Sequence, residues 1–274
     1  MKSITLSNVV KKGFTNFDLK VIALILMIGD HLYYFFGYTE KIPVLFSQVG
    51  RLSGYIFLFV VLEGFKHTSN RKKYVLRLYG LSVLMGCMNY GIMTMGLIRK
   101  DGFYPMNNIF ATFTLLTIIW QGIDYLKERK KLKGIGFLSL AIVPNLLAFL
   151  LPMHMMPILG GVMTTVLPLP MFVEGGVFWL LSGVILYVFK EHKKLQMALF
   201  GVYTLLWTIG LPLFMGMELS ISNLFSTYYE WMGIFAIPIL ILYNGERGKS
   251  MKRFFYIFYP AHVYIFYFIS YVLI

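Results

Sequence analysis

The chain has little of what a soluble protein needs on its surface. Only 14% of its 274 residues are charged, 58% are hydrophobic, and the mean hydropathy is +0.71. This composition excludes a soluble domain with a polar surface. Acidic residues are scarce, with 12 Asp and Glu against 25 Lys and Arg. In a soluble protein the net charge of +13 would indicate binding to nucleic acid. Here, however, the basic residues lie in short clusters between apolar runs. We therefore expect no nucleic-acid partner.

Cysteine is represented by Cys87 alone, which excludes disulfides within the chain. Histidine is also sparse, and no two histidines of the apolar regions lie at the short spacing that metal ligands prefer. These histidines are His31, His67, His154 and His262. We therefore expect no metal.

Long apolar runs fill most of the sequence. A helix needs about 20 apolar residues to cross a hydrocarbon core of about 30 Å, so the chain has room for about nine crossings in a single transmembrane domain over 1–274. The predicted spans are 17–37, 43–65, 75–97, 107–126, 134–151, 172–189, 196–215, 229–244 and 254–273. Residues 152–171 are rich in Pro and Gly and are predicted as an outer loop or a re-entrant half-helix. The fold class is all-α, a polytopic integral membrane helix bundle embedded in a lipid bilayer.

Clusters of Lys and Arg alternate along the chain with loops that are poor in positive charge. Basic loops stay in the cytoplasm under the positive-inside rule. The clusters lie at Lys11 and Lys12, and within 66–77, 127–133, 190–194 and 247–253. This alternation predicts a cytoplasmic amino terminus.

An acid and an imidazole lie inside the first predicted span. Ionisable residues in a span usually persist because they face a cavity, a partner or a substrate path, so Asp30 and His31 are candidates for function. His31 suits a general base because it changes protonation near neutral pH. Arg51 needs a counter-ion if it is buried, and Asp30, about 100° around the helix from His31, is better placed to pair with Arg51. The alternative is a helix end in the headgroup region, with both side chains hydrated.

His262 lies near the middle of the last predicted span. It fits a second catalytic base, a buried imidazole with satisfied hydrogen bonds, or a gate residue.

A second polar group lies at the inner end of the second span. Glu63, His67 and Arg71 recur every four residues and would share one face if that helix continues past the membrane. The same stretch contains Asn70, Lys72, Lys73 and Arg77. Lys and Arg in such a group are typical of a site for a phosphorylated ligand. The alternative is a positive-inside signal with a surface Glu–His pair.

Several segments of this sequence resemble the TraX family. They are residues 18–31, Gly50-Arg51 with the run 57–74, residues 107–113, and residues 255–262. The chain departs from the family pattern at 86–89, where the family often has an acid and a proline. The resemblance implies an integral membrane acetyltransferase of the bacterial cytoplasmic membrane, similar to transmembrane acyltransferases that use cytoplasmic acetyl-CoA on acceptors across the membrane. The family is known for acetylating the amino terminus of conjugative pilin.

The pattern of polar residues and the resemblance together give a hypothesis for the role of each candidate residue. Acetyl-CoA is the donor, and a peptide or small amine is the acceptor. Arg71, Lys72, Lys73 and Arg77 hold the donor phosphates, beside Glu63, His67 and Asn70. His31 either deprotonates the acceptor or carries the acetyl group itself. Asn107 or Asn108, with Arg51, stabilises the oxyanion.

Two other classes of protein fit the same buried charges. A secondary transporter of a small peptide or organic anion would use them as a substrate and proton path, but only residues 152–171 are strongly interrupted and no matching segment is found in the amino-terminal half. A non-catalytic assembly factor of a secretion or conjugation machine is the third class. The acceptor and the oligomeric state stay open.

Overall fold

The structure, a computed structural model, describes residues 13–106, 108–150, 152 and 159–274. The described residues form helices and connecting turns, with no β-strand among them. The helices are α1 (Asn16–Phe36), α2 (Leu45–His67), α3 (Arg71–Thr94), α4 (Ile109–Lys127), α5 (Lys131–Phe149), α6 (Gly161–Val166), α7 (Gly176–Val188), α8 (Lys193–Leu205), α9 (Leu211–Phe214), α10 (Ile221–Ser226), α11 (Ala236–Ile241) and α12 (Lys252–Leu273). Shorter 3₁₀ segments lie at Gly37–Thr39 and Tyr229–Phe235, and a π-helical turn at Leu206–Gly210 joins α8 to α9.

Within the described part of the chain, 7 helices are long and apolar enough to cross a membrane. They coincide with the predicted spans except for 172–189 and 229–244. In those two stretches the structure has shorter apolar helices, at Gly176–Val188 and Tyr229–Ile241. A helix such as α7, with 13 residues, is about 20 Å long and does not traverse a core of about 30 Å alone. The predicted all-α polytopic membrane bundle is confirmed.

The predicted loop or half-helix at 152–171 contains α6, which has 6 residues. Its Thr165 packs on α3 at Gly86, where an added Cβ would lie 2.8 Å from the Thr165 carbonyl oxygen. The Thr165 hydroxyl also lies 3.4 Å from the Gly86 carbonyl oxygen. The described part of this segment is therefore a short helix docked on α3. His154 lies outside the described residues.

The chain divides into two compact units. The first comprises the described residues of 1–63 and 188–262, and the second comprises those of 64–187 and 263–274. A single transmembrane domain over 1–274 stays a prediction.

In the first unit, α1 begins at a capping box. The Thr15 hydroxyl accepts a hydrogen bond from the Asp18 amide, and the Asp18 carboxylate accepts one from the Thr15 amide at 2.9 Å. The buried face of α1 then recurs every four residues, at Leu19, Ala23, Met27 and His31. The helical period thus places His31 in the interior of this unit.

The core of the second unit is built on aromatic rings. Trp120 stacks on Tyr187 with ring centroids 5.2 Å apart, and Phe65 lies 5.6 Å from Trp120. The Trp120 indole donates a hydrogen bond of 3.0 Å to the Gly183 carbonyl. These contacts join α4 and α7 within this unit.

Many large apolar side chains remain exposed on the helices. Phe214 is 89% exposed and Leu132 is 88% exposed. Exposure on this scale is typical of helices that face lipid rather than water.

Candidate functional site

Two histidines of the membrane helices contact each other in the first unit. Nδ1 of His31 on α1 lies 2.6 Å from Nε2 of His262 on α12. Both side chains are buried, with exposed fractions of 4% and 5%. Nδ1 of His262 also lies 2.9 Å from the Phe258 carbonyl oxygen. The two buried imidazoles therefore form a short hydrogen-bond chain whose last acceptor is a backbone carbonyl.

These contacts fix the proton positions of the neutral pair. A carbonyl only accepts hydrogen bonds, so Nδ1 of His262 carries a proton and its Nε2 is an acceptor. Nδ1 of His31 then donates to that Nε2, and Nε2 of His31 keeps its lone pair. No described residue hydrogen-bonds to this last nitrogen. His31 thus presents the unprotonated nitrogen that a general base requires.

Aromatic side chains surround the His31 ring. The ring centroids of Phe35, Tyr259 and Tyr34 lie 6.0, 6.1 and 6.2 Å from that of His31. These aromatic rings limit the access of water to the imidazole and fix its orientation.

A charge network lies beside the histidine pair on the same unit. The Arg51 guanidinium donates to Asp30 at 2.5 Å and to Glu230 at 2.8 Å. The Ser47 hydroxyl donates to the same Asp30 carboxylate at 2.7 Å. The Asp30–Arg51 pair predicted from the sequence is confirmed. Glu230 was not among the predicted site residues, although an acid at the start of an apolar run is the signal that identifies it.

Gly50 gives Asp30 its place in this network. A Cβ added at Gly50 would lie 2.4 Å from the Cβ of Asp30 and 2.8 Å from its carboxyl carbon. The absence of a side chain at Gly50 therefore lets Asp30 lie against α2, next to the Arg51 that follows. This contact explains why position 50 is a glycine.

The Arg51 guanidinium is paired with two partners of opposite charge, the carboxylates of Asp30 and Glu230. Two charge-assisted hydrogen bonds hold it in place. Its predicted role as an oxyanion donor stays a prediction, and it requires Arg51 to exchange one of these contacts for the substrate.

Asn108, one of the two predicted asparagines, belongs to the second unit. The Asn108 side chain caps α4, since its oxygen accepts from the Ala111 amide at 3.3 Å. Its Nδ2 donates to the Ser82 carbonyl at 2.8 Å. Both ends of the Asn108 amide therefore have structural partners, and Asn107 lies outside the described residues.

The continuous helical face expected for Glu63, His67 and Arg71 does not form. Helix α2 ends at His67, and α3 begins at Arg71. The Asn70 side chain causes this new start, because its oxygen accepts from the Lys73 amide at 2.8 Å and caps α3. Asn70 thus has a structural role in the loop.

The basic residues of that stretch have different environments. Arg71 donates to Asp124 at 2.7 Å and to Gln121 at 3.2 Å, with its guanidinium 4.6 Å from the Phe65 ring centroid. The side chains of His67, Lys72, Lys73 and Arg77 are exposed. Arg71 therefore already has a carboxylate partner within the second unit.

Glu63 belongs to the first unit, where it accepts a hydrogen bond of 3.1 Å from the Tyr243 hydroxyl. The predicted donor-binding residues are thus divided between the two units, and their role stays a prediction. Within the described residues, no group of three or more His, Cys, Asp or Glu side chains could hold a metal ion.

Comparison with known proteins gives one finding. A family model described as TraX protein matches residues 17–270 of the chain. No curated protein matches the chain. No solved structure matches it either. The matched range includes the histidine pair and the Arg51 network.

Proposed function

Because the chain belongs to the TraX family, we propose that it is a membrane acetyltransferase that moves an acetyl group from acetyl-CoA to an amine. The observation that carries the proposal is the buried His31–His262 pair, with its lone-pair nitrogen and fixed proton positions. The acceptor is an amine, or a hydroxyl, at the outer face of the bacterial cytoplasmic membrane. The amino terminus of a pilin or of a secreted peptide has this chemistry.

The histidine pair supports a general-base reaction. Nε2 of His31 takes a proton from the acceptor amine as its nitrogen attacks the thioester carbonyl. The new N–C bond forms, the C–S bond breaks, and the CoA thiolate leaves. The imidazolium of His31 then returns the proton to the thiolate. His262 is a positioning residue in this scheme, because it holds the Nδ1 proton of His31 and so fixes the tautomer.

The Arg51 network supports an amine as the acceptor. Two carboxylates, Asp30 and Glu230, share one guanidinium, so the network has a net charge of −1 when all three groups are ionised. A negative site attracts an ammonium group and orients it. Loss of the ammonium proton to solvent or to a carboxylate would then give the neutral amine that attacks.

A covalent route uses the same histidine. Nε2 of His31 would attack the thioester carbonyl, the C–S bond would break, and the CoA thiolate would leave. The amine would then attack the carbonyl of acetyl-histidine, the C–Nε2 bond would break, and the amine proton would pass to the CoA thiolate. Ping-pong kinetics would identify this route, whereas direct transfer requires both substrates together.

Replacement of His31 tests the proposal. Radiolabelled acetyl-CoA and a synthetic peptide with a free amino terminus are incubated with purified protein in lipid nanodiscs. His31→Ala is expected to lower turnover by at least about 10²-fold, the usual contribution of a general base. His192→Ala is the matched control, because His192 is exposed at the start of α8 and hydrogen-bonds through its backbone. A peptide with a blocked amino terminus should accept nothing.

Two results would contradict the proposal. Acetylation at the wild-type rate by folded His31→Ala protein would remove the histidine from the chemistry. Folded wild-type protein that neither binds nor uses acetyl-CoA, but accumulates peptide in vesicles, would favour the transporter class.

A further inference from the structure

Three basic side chains come together where α1 and α12 begin, in the first unit. Lys20 lies one turn into α1, and its charged neighbours are Arg247 and Lys252. Its ammonium nitrogen lies 5.7 Å from the ring centroid of Phe255 on α12. We call Lys20, Arg247 and Lys252 the basic cluster.

The loop before α12 is held against the start of α1, which brings the basic cluster together. The Asn16 amide donates to the Glu246 carbonyl at 2.8 Å, and the Phe14 amide donates to the Leu242 carbonyl at 2.7 Å. Gly248 has a φ of +65°, and a Cβ there would lie 2.4 Å from the Thr15 hydroxyl oxygen. Glycine is required at this position, and Arg247 is therefore fixed next to α1.

Nearby carboxylates do not neutralise Lys20. Asp18 accepts from the Thr15 amide and hydroxyl at 2.9 and 2.7 Å, as part of the helix cap. Glu246 is exposed. Among the described residues, Lys20 makes no hydrogen bond or ion pair, while Arg247 contacts the Ser250 hydroxyl at 3.3 Å. Arg71 in the second unit differs, since it pairs with Asp124.

Lys20 is half-buried, whereas Arg247 and Lys252 are exposed, and like charges this close to a half-buried ammonium group repel it. The repulsion is offset when an anion binds among them, and phosphate is the anion that Lys and Arg bind through charge-assisted hydrogen bonds. The basic cluster therefore has the chemistry of a phosphate site.

The basic cluster lies in line with the histidine pair. Lys20 and His31 are separated by about three helical turns, so they lie on one face of α1 about 16 Å apart along the helix axis. Phe255 and His262 are separated by about two turns and share a face of α12. An extended pantetheine arm can span this distance, with the phosphates at the cluster and the thioester near His31.

We propose that Lys20, Arg247 and Lys252 bind the phosphate groups of a phosphorylated ligand, and that this ligand is acetyl-CoA. The second statement rests on the proposed acetyltransferase function. The proposal assigns the donor phosphates to the first unit and not to the predicted residues Arg71, Lys72, Lys73 and Arg77. Phospholipid headgroups have the same phosphate chemistry and are the other source that the test must separate.

Binding is measured by isothermal titration on the full chain in nanodiscs, with CoA and with adenosine 3′,5′-bisphosphate as probes. The test variant is Lys20→Gln, Arg247→Gln, Lys252→Gln. We expect it to weaken binding of both probes by about tenfold or more, because three charge-assisted contacts are lost. Each titration is repeated in zwitterionic and in anionic nanodiscs. Melting temperatures confirm that each variant is folded.

Three further variants complete the test. Lys127→Gln, Lys131→Gln, Lys133→Gln removes the same charge from exposed positions and is expected to bind like wild type. Lys72→Gln, Lys73→Gln, Arg77→Gln tests the rival site and should retain at least half of the affinity. The variant Lys20→Arg, Arg247→Lys, Lys252→Arg keeps the three positive charges but exchanges the side chains that carry them. Its affinity should lie within about threefold of wild type. A protein that had lost its fold would not bind so well.

The outcomes separate this proposal from the proposed function. Affinity lost only in the variant of 72, 73 and 77 would overturn the cluster assignment and leave acetyl-CoA as donor. Unchanged CoA affinity in the cluster variant, with altered affinity for anionic lipid, would assign the cluster to phospholipid and overturn its role with acetyl-CoA. Absence of CoA binding in folded wild-type protein would contradict the proposed function, whereas retained binding of the bisphosphate alone would support only the phosphate site.

Discussion

At the scale of the residue, burial distinguishes the two carboxylates that bind Arg51. The Asp30 side chain is 16% exposed, whereas that of Glu230 is 45% exposed. Water therefore screens the Glu230 pair much more than the Asp30 pair. The Ser47 hydroxyl adds a second hydrogen bond to Asp30. Asp30 is thus the partner that holds the guanidinium.

Neutral replacements should reveal this difference. Asp30→Asn is expected to destabilise the fold by about 2 kcal/mol or more, because it leaves a largely buried Arg51 short of its main counter-ion. Glu230→Gln should cost less than about 1 kcal/mol, as is usual for exposed pairs. Thermal unfolding in detergent, followed by circular dichroism, measures both. Equal losses of stability in the two variants would contradict the assignment.

The sequence predicted part of this site. Asp30 and Arg51 could be paired in advance, because a buried arginine needs a counter-ion and Asp30 lies about 100° around the helix from His31. The contact between His31 and His262 could not be predicted, since 231 positions separate them and only tertiary packing brings the rings together. The proton order of the pair depends in turn on the Phe258 carbonyl, and sequence spacing alone does not show where such a backbone group points.

At the scale of the element, the packing of α6 on α3 explains one of the glycines of the third span. Gly86 leaves room for the Thr165 backbone, with atoms at 2.8 and 2.9 Å from an added Cβ. An added Cβ at Gly80 or Gly91 would meet nothing within 4 Å. Close approach therefore requires a glycine at Gly86 and not at Gly80 or Gly91.

Alanine substitutions test this contact. Gly86→Ala is expected to destabilise the protein by about 1–3 kcal/mol, because the methyl group overlaps backbone atoms that cannot rotate away. Gly91→Ala, on the same helix, should change stability by no more than about 0.5 kcal/mol. Melting temperatures in a common detergent give the comparison. A Gly86→Ala protein as stable as wild type would show that α6 does not dock on α3 at this point.

Helix boundaries show what apolar periodicity can and cannot predict. The long spans were predictable because each contains about 20 apolar residues in succession. The break between His67 and Arg71 was missed, since charged and polar residues there continue a four-residue spacing that fits a helix. The deciding feature was the cap made by Asn70, a local hydrogen bond that competes with helix continuation.

At the scale of the whole molecule, the distribution of basic residues predicts the orientation in the membrane. Lys72 lies among several Lys and Arg residues at the start of α3. Glu40 lies in a loop poor in positive charge between α1 and α2. The positive-inside rule places Lys72 in the cytoplasm and Glu40 on the outer side.

Cysteine labelling checks this orientation. Because Cys87 is free and exposed, the background is Cys87→Ser. In intact cells a membrane-impermeant maleimide is expected to label the Glu40→Cys variant and to leave the Lys72→Cys variant unmodified. Both positions are exposed, so both should react after permeabilisation, which serves as the control. Labelling of the Lys72→Cys variant before permeabilisation would reverse the proposed topology.

In the proposed acetyltransferase, the order of protons in the histidine pair also determines which compounds can inhibit the reaction. The two Nδ1 protons of the pair already make the hydrogen bonds from His31 to His262 and from His262 to the Phe258 carbonyl. Nε2 of His31 therefore presents a lone pair and no hydrogen. A competitive inhibitor must therefore offer this nitrogen a hydroxyl, an amide N–H or an ammonium group. A ketone or an ether of the same shape offers only acceptor oxygens. Its lone pair would face the lone pair of His31 Nε2 at a buried position, and we expect such a compound to bind weakly.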